Sequence, residues 1–165
     1  SHDRTGFLAT RPGYEYFEED GNYIYTVAEW FPRMAVYSDF EGWQNKQFVG
    51  RGEFALVFGD YKVAITVPSD HMVGATGVLQ NPADVLSQKE LDRWEQAKSS
   101  FDEPVIIRSQ AEVEKLEKKR STEKSTWVFH AENVRDFAWT SSRKFIWDAM
   151  AVQLENGKEV MAMSY

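Results

Sequence analysis

The chain has 165 residues, no cysteine, a formal net charge of −7 and an aromatic fraction of 15%. One domain is the expectation at this length, and such a chain buries about 70% of its unfolded surface, enough for a core without staples. The missing cysteines exclude a disulfide framework, a thiolate metal site and a thiol nucleophile. With 19 Lys and Arg against 26 Asp and Glu, the balance argues against a nucleic-acid or anionic-membrane binder. No apolar run reaches the roughly 18 residues of a membrane span. The start, Ser1-His2-Asp3-Arg4, carries no initiator Met, and residues 1–3 read as a cloning remnant.

The first half predicts strands joined by tight turns. Residues 14–18 and 23–27 flank Asp20-Gly21, where glycine permits a positive φ. Phe54, Leu56 and Phe58 alternate with Glu53, Ala55 and Val57. Gly59-Asp60 then reads as a hairpin turn into residues 61–67, with Val63, Ile65 and Val67 on one face and Pro68 ending the strand. Residues 71–79, with two interior glycines, read as one bulged strand.

The middle changes period. Ser87-Gln88-Lys89-Glu90 has capping-box spacing and predicts a helix over about residues 88–98. Residues 105–107 form a short apolar run after Pro104. Ser109-Gln110-Ala111-Glu112 repeats the capping signature and starts a second helix, with only Val113 and Leu116 as an apolar stripe. Five basic residues fall between Lys115 and Lys124, but Glu117 and Glu123 interrupt them. A solvated mixed-charge face is the plainer reading than a binding patch. Strands resume at Thr126: Trp127 and Phe129 alternate with Val128 and His130, and Phe145, Trp147 and Ala149 with Ile146, Asp148 and Met150. Asn156-Gly157 is the strongest hairpin signal in the chain. The expected fold is all-β, an antiparallel β-sandwich with two short helices in an insertion over about 82–124.

Self-contained catalytic machinery is not evident. His2, His71 and His130 lack the four-residue spacing of a zinc helix, and no nucleophile elbow, phosphate loop or dinucleotide fingerprint occurs. His71 and His130 read as structural or solvated histidines. Six Trp, seven Tyr and eleven Phe could build a sugar-stacking platform, but most sit on alternating strand positions where core packing is the simpler explanation. Trp43, read as a loop residue, is the ring expected to face a partner or ligand.

Specific segments do match a known pattern. Glu29-Trp30-Phe31-Pro32-Arg33-Met34-Ala35-Val36-Tyr37 resembles the Gln-Trp-Phe/Tyr-Pro-Arg segment of the gluzincin aminopeptidases, the aminopeptidase N family that includes leukotriene hydrolase. Gly42-Trp43, Gly52-Glu53-Phe54, Gly59-Asp60-Tyr61 running to Pro68, Val73-Gly74-Ala75-Thr76-Gly77-Val78-Leu79, and Val134-Arg135-Asp136-Phe137-Ala138-Trp139 follow in the family's order. The resemblance covers about residues 25–165 and lies closest to the bacterial branch. It implies a saddle-shaped N-terminal β-domain that packs against a thermolysin-like catalytic domain of the same chain. Zinc, its His-Glu-x-x-His ligands and the transition-state tyrosine would belong to that catalytic domain, so no cofactor is expected in this chain.

By the same resemblance, a Glu or Gln of the N-terminal domain binds the α-amino group of the peptide substrate, and Glu29 is the matching candidate. A carboxylate there would pair with the ammonium in a partly desolvated site and select the end to be cut. Arg135 and Asp136 are expected to pair with each other or with neighbours. The alternatives are a stand-alone carbohydrate- or ligand-binding sandwich, with a flat exposed row of rings around Trp43, and an interaction module acting through residues 115–124.

Overall fold

A computed structural model describes residues 13–28, 30–47 and 54–165. Residues 1–3, read as a cloning remnant, with His2 among them, Gly52 and Glu53 of the resemblance, and Glu29 all lie outside the described residues.

The described residues are richer in strand than in helix, with antiparallel sheets and three short helices. In chain order it runs β1 (Gly13–Phe17), β2 (Asn22–Val27), β3 (Val36–Ser38), β4 (Gly42–Gln44), β5 (Gly59–Pro68), β6 (Met72–Ala75) and β7 (Val78–Leu79). Then come α1 (Pro82–Val85), α2 (Gln88–Ala97), β8 (Val105–Arg108), α3 (Gln110–Lys119), β9 (Lys124–Val134), β10 (Trp139–Ser142), β11 (Trp147–Gln153) and β12 (Glu159–Ser164). Among the described residues the strands form four sheets, ordered β1-β2-β10-β6, β5-β9-β7, β12-β11-β8 and β3-β4.

Local turn chemistry sets both expected outer hairpins. Gly21 sits at φ +65° between β1 and β2, its N–H donating to Phe17 O at 2.7 Å, while Asn22 N donates to Asp20 Oδ1 at 2.9 Å. Gly157 at φ +80° turns β11 into β12. The first capping box is complete: Ser87 N donates to Glu90 Oε2 at 2.9 Å and Glu90 N to Ser87 Oγ at 3.4 Å. At the second, Ser109 N donates to Glu112 Oε2 at 2.9 Å.

Four expectations are corrected. Residues 54–58 form no strand, and Gly59-Asp60 is not a turn but the start of β5. That strand pairs along its length with β9, with a register shift between Gly59 and Tyr61, and Asn133 N donates to Asp60 Oδ1 at 2.8 Å. The distant partner wins because it buries more. β9 brings Trp127, Phe129 and Ala131 to the core beside Ile65 and Val67, whereas Val57 and Phe58 remain exposed.

Residues 71–79 are not one bulged strand. The segment breaks at Thr76-Gly77 and changes sheets, β6 pairing with β10 and β7 with β9. Gly77 permits the break with φ +94°, close against His130.

The insertion holds three helices rather than two, because Pro82 begins an extra single turn, α1. It is also not wholly helical: β8 pairs with β11 and ties it into a sheet. Finally, Trp43 lies on β4 rather than in a loop; its opposition to Tyr37 across the short β3–β4 ladder supplies the pairing.

The inner faces of three sheets share one core cluster. Met72 and Val73 come from β6, Ile65 and Val67 from β5, Trp127 and Phe129 from β9, Ile107 from β8, and Trp147 and Ala149 from β11. Aromatic rings supply much of this burial, as the strand alternation implies.

Candidate functional site

Segments far apart in sequence meet at one end of β5. Phe31 packs edge-on against Tyr61, centroids 5.5 Å apart, and Tyr61 lies 6.1 Å from Phe137. Trp30 meets Trp139 edge-to-face at 6.5 Å. Arg33 places its guanidinium 5.0 Å over the Phe31 ring. Its Nη2 donates to Asp136 Oδ1 at 2.6 Å and its Nη1 to Arg135 O at 3.4 Å. Asp136 Oδ1 also accepts from Phe137 N at 2.6 Å, so the carboxylate is aimed by its own loop. Thr76 closes the group: its N–H donates to Ala138 O at 3.0 Å and its Oγ1 accepts from Ala138 N at 3.2 Å.

This junction joins Trp30–Arg33, Tyr61, Thr76 and Asp136–Trp139. Asp136 therefore pairs with a neighbour, Arg33, as one of the two expected arrangements has it. The side chains of this pair are 19% and 29% exposed, and an ion pair in such a setting contributes about 1 kcal/mol at most. Its larger effect is to tie residues 30–34 to the loop that follows β9.

Beside the junction runs an exposed apolar band. A groove of about 280 Å³ is lined by Phe31, Arg33, Met34, Val57, Phe58 and Tyr61 among others. Met34 is 85% exposed, and Trp30, Val57 and Phe58 are also open to solvent. On the β3–β4 hairpin, Phe40 is 81% and Trp43 64% exposed, so the solvent-facing part of the Trp43 expectation is met. The Tyr37 and Trp43 rings cross at 73° with centroids 5.2 Å apart. They do not make the flat row that a sugar platform needs.

Glu29 itself is outside the described residues. Its place in the chain lies between Val27, which ends β2, and Trp30 of the junction.

The histidines divide as structural and solvated groups do. His71 is buried and shares a 2.9 Å hydrogen bond with Ser141 Oγ. Burial, with the positive charge of Arg143 next, pushes its pKa from the usual 6.5 down to about 4, outweighing the opposing pull of Asp70. His130 is partly exposed, with Nδ1 3.9 Å from Glu132 Oε1. Among the described residues no three His, Asp or Glu side chains gather into a group that could hold a metal ion.

His71 has a measurable consequence. Above pH 6.5 it is neutral in folded and unfolded chain alike and contributes no pH dependence. Below that, the unfolded chain takes up a proton that the folded chain refuses. Stability should therefore fall between pH 6.5 and 4, by about 3 kcal/mol in total, and then level off for this group. Urea midpoints measured across that range should show the slope, and His71→Asn should flatten it.

Two features escaped the sequence reading. The first is a buried ionic network: Arg143 donates from Nε to Asp70 Oδ2 at 3.2 Å and from Nη1 to Asn22 Oδ1 at 3.1 Å, and Arg108 Nε donates to Glu90 Oε1 at 2.7 Å. Burial would raise the Glu90 carboxyl, but Arg108 and the Ser87 cap outweigh it and hold its pKa below the usual range. The second is a tyrosine face on the β1–β2 hairpin, where Tyr14 stands opposite Tyr25 and Tyr16 opposite Tyr23. Pairing the predicted hairpin residue by residue would have shown the second; nothing local in sequence signals the first.

Comparison with protein-family models, with curated proteins and with solved structures returned no match.

Proposed function

We propose that this chain is the non-catalytic N-terminal β-domain of a zinc-dependent aminopeptidase of the gluzincin type. It packs against a thermolysin-like catalytic domain of the same protein and helps hold the peptide N-terminus. The observation that carries this reading is the junction. The resemblance rests on segments scattered from Trp30 to Trp139, and four of them contact one another there through Arg33–Asp136, Phe31–Tyr61–Phe137, Trp30–Trp139 and Thr76–Ala138.

The exposed band of Trp30, Met34, Val57 and Phe58 is the kind of surface that a partner domain covers. Glu29 precedes it directly in sequence. Partial desolvation by a covering domain would strengthen the pairing of a carboxylate with an ammonium. The zinc chemistry belongs to the partner domain and uses no residue of this chain.

In the parent enzyme, Glu29→Ala should raise KM for unblocked peptides about tenfold or more, the loss of a charge-assisted hydrogen bond. The chain alone, supplied with zinc, should release no nitroaniline from aminoacyl-nitroanilides. Hydrolysis by the isolated chain would overturn the reading.

A second reading, a stand-alone carbohydrate-binding module, is favoured by one observation. The Tyr23 and Tyr25 rings lie 19° from coplanar at 5.8 Å, with Tyr16 4.8 Å from Tyr23. Saturable binding of soluble oligosaccharides, lost in Tyr16→Ala and Tyr23→Ala, would establish it.

A further inference from the structure

Away from the junction, the sheets flank a partly open cavity of about 360 Å³. This lies within the size range of small-molecule sites, roughly 300–1,000 Å³. None of Trp30, Phe31, Arg33, Tyr61 or Asp136 lines it. The walls come instead from Val73 on β6, Trp127 and Phe129 on β9, Trp147 on β11, and Met161 on β12 with Tyr165 just beyond it.

Two pairs of rings in the lining are near-parallel. Trp147 and Tyr165 lie within 7° of parallel with centroids 5.9 Å apart, and Trp127 and Phe129 within 6° at 6.4 Å. The Tyr165 ring rests on Gly74, where an added Cβ would stand only 3.0 Å from it. Glycine at that position is what lets the ring close the wall. The charged residues of the lining, Lys158 and Glu159, are neighbours of opposite sign at the start of β12.

The lining is mainly indole, phenyl and thioether, and the buried indole N–H groups of Trp94, Trp127 and Trp147 in it have no hydrogen-bond partner among the described residues, so a guest with an apolar body and one acceptor oxygen suits it. Flat aromatic walls reward a flat guest, which gains offset stacking as well as burial and loses little conformational freedom on entry. The adjacent, opposite charges of Lys158 and Glu159 give no net attraction for an ion.

We propose that this cavity is a binding site for a planar, uncharged aromatic molecule of about two fused rings. Its lining is separate from the junction, so the site stands or falls independently of the aminopeptidase reading.

The test is a titration of the whole 165-residue chain with 2-naphthol, followed through the methionine methyl resonances. The Met161 and Met163 methyls, both at the cavity, should shift saturably while the Met34 methyl stays put. 1-Decanol, apolar but not planar, should bind at least tenfold more weakly. Ala75→Leu, which adds volume at a lining position, should weaken naphthol binding tenfold or more at an unchanged melting temperature. Unmoved Met161 and Met163 methyls, decanol binding as tight as naphthol binding, or wild-type affinity in a folded Ala75→Leu chain would each overturn the proposal. Should Ala75→Leu not fold, the methyl shifts and the decanol comparison on the wild-type chain decide alone.

Discussion

Gly77→Ala should destabilise the chain by about 3–5 kcal/mol, read as a large fall in the urea midpoint. Two causes add at this position. The backbone stands at φ +94°, which a side chain adopts only with strain, and the new Cβ would sit 2.5 Å from His130 O and 2.8 Å from the Ala131 Cβ. Neither neighbour can yield cheaply, because both belong to β9, whose ladder with β5 runs from Gly59 to Pro68. The contact arises where the chain leaves one sheet and joins another, so every residue of β7 depends on it. Gly157→Ala separates the two causes. Gly157 has φ +80° but nothing within 4 Å of an added Cβ, so strain acts there alone and the expected cost is about 1 kcal/mol. Equal losses at the two positions would show that packing against β9 contributes nothing.

The second large effect is expected at Asp70. Its carboxylate is buried and accepts from Arg143 Nε and Nη2 at 3.2 and 3.3 Å and from Ser121 N at 2.8 Å. Its carbonyl also accepts from Arg108 Nη1 at 3.4 Å. Asp70→Ala would leave the Arg143 guanidinium, 11% exposed, without its counter-charge, and should cost about 3–5 kcal/mol. The burden falls on the stranded charge rather than on the lost contact. Adding Arg143→Met to Asp70→Ala should therefore recover part of the loss, whereas two independent sites would simply add. Full additivity in that double-mutant cycle would remove the coupling. The network matters for the fold because it links unlike pieces: Asp70 follows β5, Asn22 opens β2, Arg143 follows β10, and Arg108 ends β8 and is fastened to Glu90 of α2.

These two sites also mark what could be read from the sequence. Features written in a few neighbouring residues were legible. Asp20-Gly21 and Asn156-Gly157 make the expected turns, and Ser87–Glu90 and Ser109–Glu112 start the expected helices, because each needs only local hydrogen bonds and one permissive backbone position. The alternation of Trp127 and Phe129 with Val128 and His130 correctly marks a core strand for the same reason. Partner choice was not legible. Gly59-Asp60 has the composition of a hairpin turn, yet β5 pairs with β9 instead, since burial against distant rings outweighs a local turn preference. The break at Thr76-Gly77 likewise depends on where β9 and β10 stand.

At the candidate site the sequence offered the segments but not their meeting. Arg33 and Asp136 lie 103 residues apart, and no periodicity joins them. Trp43, the ring expected to face a partner or ligand, is exposed, but its crossed packing on Tyr37 makes it a poor stacking surface. It suits the edge of an interface better, since aromatic anchors there need burial by a partner rather than a flat face.

The most direct measurement is the nucleotide sequence of the parent reading frame past the codon for Tyr165. The expected result is continuation into His-Glu-x-x-His on a helix with a further Glu about twenty residues on, the zinc-binding pattern of this peptidase class. A stop codon after Tyr165, or a continuing frame without those ligands, would contradict the assignment and favour a stand-alone ligand-binding module.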